Sequence, residues 1–326
     1  MACISDGFLG FADQGCGGCS LDLWEFASLV QSWPLLFEFL VDHGVLLSEM
    51  RCGNCGAVIE LAEDSEYFSC QRRTGTDLNK SVERERCRFK KSFRHGTWFS
   101  RSCLSVSDIC KITYMFLVLR RPSNQFIQRH CHVSQKTVQE WSHFCREVML
   151  SLYLTECLGK IGGAGSIVEI YGANVGKPKY KSRRGRSDEE LWVFGGIERN
   201  TNRIFVIPVE VLTSKSLMCM IEEFIMPGTT LMSDYWQTFD CLSDHDFERF
   251  HVNRNMNFIG LDSGANTSRI ERLWCDIRNN IPRCGLRTPH FVGYLAEFMF
   301  RRRFPDERER MHHFLLAVKK AYPLSK

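Results

Sequence analysis

Apolar side chains recur at helical spacing through much of the N-terminal half of the chain. Between residues 21 and 47 the pattern is interrupted by Pro34, which predicts two short helices. Further helices are predicted over residues 106–119, 124–130 and 134–149, and Ser134 is placed to be the N-cap of the last. Between these stretches, 57–61 and a run ending at Cys70 have the character of short strands. We therefore expect a mainly helical N-terminal half around a small β-containing module.

The apolar pattern changes after Gly162-Gly163-Ala164-Gly165, which we interpret as a linker. Short β-type runs follow, then a helix, then one more β-type run, and this order predicts an α/β core. The predicted strands cover residues 166–170, 191–197, 203–209 and 230–233, and the predicted helix covers 214–225. The C-terminal third is predicted to be helical again, at 266–280 and 291–304.

The pattern divides the chain into five segments. We expect a helical lead-in over residues 1–48, a zinc-ribbon-like module over 49–100, a helix-turn-helix-like part over 101–160, an α/β domain over 161–305 and a C-terminal tail over 306–326.

Length and composition are those of a globular protein with two or three domains. The chain has 326 residues, of which 44% are hydrophobic and 25% are charged, and no apolar run has transmembrane length. This composition argues against a membrane-spanning or disordered protein. The N-terminal residues lack the basic leader and apolar stretch of a secretory signal, so we expect the 16 cysteines to be thiols or metal ligands in a reducing compartment.

A pair of cysteines in a glycine-containing turn is the clearest chemical signal. Cys52 and Cys55 are each followed by glycine, and such a knuckle lets two thiolates reach one tetrahedral Zn²⁺. Cys70 and Cys87 are the best candidates for a second pair, although the segment between them is far longer than in a zinc ribbon. The four cysteines predict a structural zinc site, and unliganded thiols in a small core are the alternative. Possible substitutes for the second pair are His95 and Cys103.

The same cysteine spacing occurs earlier, in Cys16-Gly-Gly-Cys19. No second pair lies upstream of it. We therefore interpret this segment as a glycine-rich turn in preference to a metal site.

A short helix, a turn and a capped helix between residues 124 and 149 have the order of a helix-turn-helix. In that motif the first side chains of the second helix reach base edges, and here these are Gln135, Lys136 and Gln139. The inward-facing side chains are predicted to be Val138, Trp141, Phe144 and Cys145. A plain helical connector without DNA contact is the alternative.

Positive charge is concentrated locally, although the formal net charge is only +4. Between Arg72 and Arg94 there are nine Lys or Arg and three Asp or Glu, with aromatic residues interleaved, which fits either a phosphate-binding patch or a solvated loop. A second segment, between two predicted strands, contains no acid and is better explained by an anionic partner than by stability. Its basic residues are Lys177, Lys179, Lys181, Arg183, Arg184 and Arg186.

Two carboxylates lie at positions that an α/β core exposes, a strand end and a packed helix. Asp234 directly follows the apolar strand at 230–233, and Glu271 lies on a predicted helix whose buried stripe includes Trp274. Acids at a strand end and on a packed helix commonly hold divalent metal at a phosphodiester. Each alone is more often a surface acid, so it is their joint context that points to a metal site.

Taken in order, these motifs resemble transposases of the Merlin superfamily and their bacterial insertion-sequence relatives. The resemblance extends over about residues 35–305 and includes the zinc knuckle and the helical DNA-binding part. Its later motifs are Val168-Glu-Ile170, the Lys-rich loop to Gly185-Arg186, Trp192-Val-Phe-Gly-Gly-Ile-Glu198, Pro227-Gly228, Ser233-Asp-Tyr-Trp236, His251-Val-Asn253 and Asn266-Thr267 with Ile270-Glu271 and Trp274.

The resemblance implies an RNase H-like domain, a mixed sheet with flanking helices, that carries an Asp-Asp-Glu triad and binds Mg²⁺ or Mn²⁺. It implies double-stranded DNA as the partner and action as a homo-oligomer. A nuclear location follows from the DNA partner, and the composition predicts no membrane association. The second and third acids fall on Asp234 and Glu271. The first does not carry over, because Tyr171 and Gly172 follow the first strand where family members have Asp.

The replacement of that acid by Tyr171 decides the expected activity. A phenol, with an ordinary pKa of about 10, is neutral at pH 7 and is a poor ligand for Mg²⁺. Glu169 shares a strand face with Tyr171 but lies about 6.6 Å away along the strand, too far to replace the missing acid. We therefore expect a transposase-derived DNA-binding protein without efficient strand cleavage. The alternatives are an active transposase with a substitute first ligand and a non-enzymatic protein-interaction scaffold.

Overall fold

The computed structural model describes residues 16–62, 65–74, 85–100, 102–120, 123–157, 159–176, 191–209, 213–233, 248–251, 268–281 and 288–324. The chain forms two compact units. Unit 1 comprises Met1–Leu152 and Arg301–Lys326, and unit 2 comprises Tyr153–Phe300.

The helices among these residues are α1 (Leu23–Gln31), α2 (Trp33–Asp42), α3 (Val106–Val118), α4 (Asn124–Cys131), α5 (Gln135–Leu152), α6 (Ser214–Phe224), α7 (Ser268–Asn280), α8 (Thr288–Arg303) and α9 (Arg310–Ala321). The strands are β1 (Glu49–Arg51), β2 (Val58–Glu60), β3 (Tyr67–Ser69), β4 (Arg73–Thr74), β5 (Glu85–Arg86), β6 (Lys90–Ser92), β7 (Ile161–Gly162), β8 (Ile167–Gly176), β9 (Leu191–Glu198), β10 (Ile204–Val209), β11 (Ile225–Met226), β12 (Thr230–Ser233) and β13 (Glu248–His251). A short π-helical segment, Tyr153–Cys157, follows α5.

Ser or Asp side chains cap four helices of unit 1, namely α1, α3, α4 and α5, whereas Ser32 before α2 makes no such bond. Asp22 and Glu25 form a capping box at the start of α1, and Pro34 lies in the first turn of α2, where a missing N–H has no cost. The hydroxyl of Ser134 accepts the N–H of Thr137 at 3.0 Å, as expected for the N-cap of α5. These local signals explain why the helix positions predicted from sequence agree with the structure.

Aromatic rings form the centre of unit 1. Trp98 contacts Trp141 of α5 and Phe314 of α9 edge to face, with ring centroids 5.1 and 5.4 Å apart. Residues 306–326, expected to be a tail, thus contain a helix whose apolar face is buried against the N-terminal helices. The guanidinium groups of Arg301 and Arg310 donate to the carbonyl oxygen of Leu117 in the last turn of α3, which ties the C-terminal segment to this helix.

Unit 2 is built on a mixed five-stranded sheet in the order β10-β9-β8-β12-β13. Strands β8, β9 and β10 are antiparallel neighbours, and β12 is parallel to both β8 and β13. The predicted α/β class is confirmed, and this strand order is consistent with an RNase H-like fold. Helix α6 supplies Leu217 and Ile221 to the hydrophobic core formed with β8 to β10 and β12.

The glycine-rich segment before β8 differs from the expected linker. Ile161 is buried in the core of unit 2, and β7 pairs in parallel with β11. The backbone N–H of Gly163 donates to Thr229 Oγ1 at 2.8 Å. A Cβ at Gly162, whose φ is +90°, would lie 2.3 Å from the same oxygen, so the glycine serves close packing here.

No helix in the part of the chain that the structure describes is long and apolar enough to cross a membrane.

Candidate functional site

Helix α7 covers one face of the sheet in unit 2, and Tyr171 lies on that face of the sheet. Tyr171 on β8 is paired with Gly195 on β9, so the two positions share a face. A Cβ at Gly195 would lie 2.9 Å from the ring of Trp274 and 2.6 Å from the carbonyl oxygen of Phe205. Glycine at this position therefore allows α7 to pack closely beside Tyr171.

Glu169, two residues before Tyr171, binds the beginning of α7. Its Oε2 accepts the backbone N–H groups of Arg269 and Ile270 at 3.1 and 3.0 Å. Its Oε1 accepts the Nε–H of Arg199 at 2.8 Å, and the Glu169 side chain is fully buried. A carboxylate at a helix N-terminus is favoured by the free N–H groups and by the helix dipole. Both oxygens of Glu169 are therefore engaged in holding α7 on the sheet.

The residues that bind Glu169 are followed directly by Glu271, in the first turn of α7. Glu271 is partly buried, and Tyr171 is only 8% exposed. The structure thus places Tyr171 on the strand and Glu271 on the helix that packs over that strand. Asp234 lies outside the described residues; Ser233, immediately before it, ends β12, which is the neighbour of β8.

Residues 161–303 match the family model of the ISXO2-like transposase domain. This range includes the whole five-stranded sheet together with Tyr171, Asp234 and Glu271. The match supports a relationship of this part of the chain to transposases of the DDE class.

Two solved structures similar to this chain contain the transposase Mos1. The crystal structure of the Mos1 strand transfer complex has 11% identity and a TM-score of 0.27, and the similarity covers 67% of this chain and 79% of that chain. A pre-cleavage Mos1 transpososome has 10% identity and a TM-score of 0.17, with 63% and 76% covered. No curated protein matches the chain.

In unit 1 the structure brings Cys52, Cys55, Cys70 and Cys87 together. All four sulfur atoms lie within 4.8 Å of one another, with Cys52 Sγ 3.5 Å from Cys87 Sγ and Cys55 Sγ 3.5 Å from Cys70 Sγ. A tetrahedral Zn²⁺ with Zn–S of about 2.3 Å requires sulfur separations of about 3.8 Å. The four-cysteine cluster therefore has the ligand type and the spacing of a closed metal site.

The long segment between Cys70 and Cys87 is accommodated by a β-hairpin. Strands β4 and β5 pair Arg73 with Arg86, and the Cys87 N–H donates to the Arg72 carbonyl at 2.8 Å. The hairpin thus brings its two ends together in place of a short knuckle. The proposed substitutes, His95 and Cys103, are exposed and lie outside the cluster.

Backbone groups stabilise the thiolate form of Cys52. Burial raises the pKa of this thiol, but backbone N–H groups of Cys55 and Asn54 that donate to the sulfur, together with hydrogen bonds to the thiols of Cys87 and Cys55, lower the pKa to about 7. The glycine after Cys55 has a φ of +70°, which the tight turn requires. The sequence around the first knuckle is therefore adapted to hold a thiolate.

Helices α4 and α5 are joined by His132, Val133 and Ser134, and His132 adopts a left-handed conformation with a φ of +55°. The predicted recognition side chains, Gln135, Lys136 and Gln139, are all exposed on the first two turns of α5.

The buried face of α5 differs from the prediction at one position. Val138, Trp141 and Cys145 are buried as expected, but Phe144 is 40% exposed. Its ring lies edge to face on Trp141 with a centroid distance of 5.4 Å, at the margin of the core.

The structure describes part of the basic patch that begins at Arg72 and none of the basic segment at 177–186. Lys177, Lys179, Lys181, Arg183, Arg184 and Arg186 lie outside the described residues, between the ends of β8 and β9. In the patch that begins at Arg72, the rings of Phe93 and nearby Trp98 are buried, so they pack the core of unit 1 and are unavailable to stack on bases.

Proposed function

We propose that this protein is a transposase-derived DNA-binding protein with little or no DNA strand-cleaving activity. The observation that carries the proposal is that the β8 face covered by α7 offers no free carboxylate. A phenol occupies position 171. The one carboxylate on β8, that of Glu169, has both oxygens engaged by Arg199 and α7.

The residues present do not fit a two-metal site for Mg²⁺ or Mn²⁺. Such a site needs a strand carboxylate that helps to hold both cations while they stabilise the attacking and leaving oxygens. Asp234 and Glu271 retain the other two positions, so a residual single-cation site at these two acids is the most that we propose. The Merlin superfamily remains the finer assignment that we favour, on the order of motifs from Cys52 to Trp274.

The four-cysteine cluster is proposed to hold a structural Zn²⁺. Buried thiolates with no open coordination position favour a structural over a catalytic ion, and the short strands β1 to β6 offer little core of their own. The ion would fix the module that precedes the DNA-binding helices.

Duplex DNA is the proposed partner, contacted through the start of α5 and the basic segment at 177–186. Gln135 and Gln139 are exposed amides that can pair with adenine edges, whereas Lys136 can reach a guanine or a phosphate. The six basic side chains of the loop would neutralise phosphates without reading sequence. A nuclear or DNA-associated location and assembly as a homo-oligomer are part of this proposal.

The first test is DNA binding without cutting. A duplex selected from a random library by the full-length protein should bind with an affinity that falls steeply with salt. The variant with all six basic residues of 177–186 changed to Gln should have a log K versus log[salt] slope smaller by about 5, because each phosphate contact contributes about 0.9. Binding is measured by fluorescence anisotropy from 50 to 200 mM salt, roughly the range over which such contacts are lost.

Two controls sharpen this test. Gln139→Ala should reduce discrimination between the selected duplex and a scrambled one, whereas Gln31→Ala, an exposed amide on α1, should leave both affinities unchanged. Wild-type protein that binds no duplex at low salt would favour the scaffold alternative. Efficient Mg²⁺-dependent nicking by the wild-type protein would show that a substitute first ligand exists.

A further inference from the structure

Cysteine and histidine side chains from three distant parts of the chain meet in unit 1. Cys16 and Cys19 lie in the segment before α1, His43 is the C-cap residue after α2, and His312 lies in α9. One ligand atom from each of the four lies within 4.8 Å of the others. This Cys₂His₂ cluster is separate from the four-cysteine cluster, with which it shares no residue.

We propose that Cys16, Cys19, His43 and His312 form a second structural zinc site. The proposal stands independently of the proposed function, because it requires only that unit 1 folds.

The distances between the ligand atoms fit tetrahedral coordination. Cys19 Sγ lies 3.4 Å from His43 Nε2 and 3.6 Å from His312 Nδ1. The two nitrogens are 3.1 Å apart. Around one Zn²⁺ with Zn–S of about 2.3 Å and Zn–N of about 2.05 Å, the expected separations are about 3.5 Å for sulfur to nitrogen and about 3.3 Å for nitrogen to nitrogen. The cluster therefore already has the spacing that the ion requires.

The second ring nitrogen of His43 is held as it is in many zinc sites. Nδ1 donates to the Phe39 carbonyl oxygen at 2.7 Å, so Nε2 of the neutral ring carries its lone pair towards the cluster. His43 and His312 are 1% and 6% exposed.

The backbone around the cysteines is shaped to bring both sulfurs to one point. Gly17 and Gly18 separate them, and Gly18 has a φ of +143°, which a residue with a Cβ rarely adopts. The Cys16 N–H donates to the Asp42 carbonyl at 2.9 Å, which fixes the loop beside the end of α2. The segment therefore has the Cys-x-x-Cys spacing of the Cys52 knuckle, in a loop that is held beside α2.

Four donors with no carboxylate and no open position favour a structural zinc ion. The ion would join α9 to the N-terminal segment across 293 residues of sequence between Cys19 and His312. Closing so long a loop removes conformational freedom from the unfolded chain. The site would thus anchor the C-terminal helix to the DNA-binding unit.

The test is the metal content of the full-length protein, measured by plasma mass spectrometry after removal of loosely bound ions. We expect about two zinc ions per chain, one for each closed cluster. His312→Ala and Cys19→Ser should each lower this by about one ion, and Cys55→Ser should remove the other. The matched controls are His313→Ala, the neighbouring ring stacked on Phe304, and Cys103→Ser, an exposed thiol; both should retain the wild-type content.

The visible spectrum of the wild-type protein reconstituted with Co²⁺ gives a second readout that needs no variant. It should be the sum of a four-thiolate site and a two-thiolate, two-imidazole site. The spectrum of His312→Ala should in addition lack the second component. A wild-type spectrum of four-thiolate character alone would overturn the proposal, as would unchanged zinc in His312→Ala. A single ion lost in His312→Ala but kept in Cys55→Ser would support this site and contradict zinc at the four-cysteine cluster.

Discussion

Tyr171→Asp should gain Mg²⁺- or Mn²⁺-dependent cleavage of DNA that the wild-type protein binds but does not cut. The substitution restores a carboxylate on the β8 face that α7 covers, and Glu271 lies in the first turn of that helix. If the missing ligand is worth roughly 4 kcal/mol in the transition state, its return raises the rate about a thousandfold. The measurement is nicking of an end-labelled duplex that contains the selected binding site, with and without the metal.

Control substitutions separate metal-dependent chemistry from a change of packing. Tyr171→Asn removes the ring without adding charge and should stay inactive. Tyr171→Asp combined with Glu271→Gln or Asp234→Asn should lose the gained activity, because the triad is again incomplete. Mg²⁺ should also raise the melting temperature of Tyr171→Asp more than that of wild type, since binding to the folded state stabilises it. A gained activity that survives Glu271→Gln would contradict the assignment of Glu271.

Local signals in the sequence predict much of the fold. The caps at Asp22, Ser105 and Ser134 define helix starts within a few residues, and short runs of apolar side chains identify β9, β10 and β12. These features depend on contacts between near neighbours in the chain, so a single sequence contains them.

Features that depend on long-range contacts could not be predicted in this way. The spacing of Cys16 and Cys19 predicts only a turn because no second pair lies upstream, whereas the structure supplies His43 from the end of α2 and His312 from α9. Helix α9 lies in a segment that the sequence pattern predicts to be a tail, since nothing local shows that its apolar face meets Trp98. An isolated Cys-Gly-Gly-Cys segment in another sequence is therefore a reason to test distant histidines as its partners.

Glu169 illustrates the same limit at the candidate site. Its position two residues before Tyr171 predicts that it faces the same side, but nothing local in the sequence indicates Arg199 or the N-terminus of α7 as its partners. The registration of α7 on the sheet, and with it the position of Glu271, depends on this carboxylate.

Glu169→Ala should destabilise unit 2 by about 3–5 kcal/mol, the usual cost of breaking a buried ion pair from one side. The change leaves the Arg199 guanidinium and two backbone N–H groups of α7 without their acceptor. The loss is a large part of the stability of a typical domain. Hydrogen exchange measured by mass spectrometry should show lost protection in peptides from 153–300, with peptides from unit 1 unchanged.

Glu223→Ala, which removes an exposed acid of α6, is the matched control and should change stability by less than about 0.5 kcal/mol. Glu169→Gln keeps an oxygen acceptor but no charge, so its loss of protection should be intermediate. The same variant tests whether Glu169 is a substitute metal ligand. If Glu169 held the metal, the Glu169→Ala variant would lose Mg²⁺-dependent stabilisation but keep most of its stability without metal. Retained protection in Glu169→Ala would therefore contradict the capping role and reopen position 169 as a metal ligand.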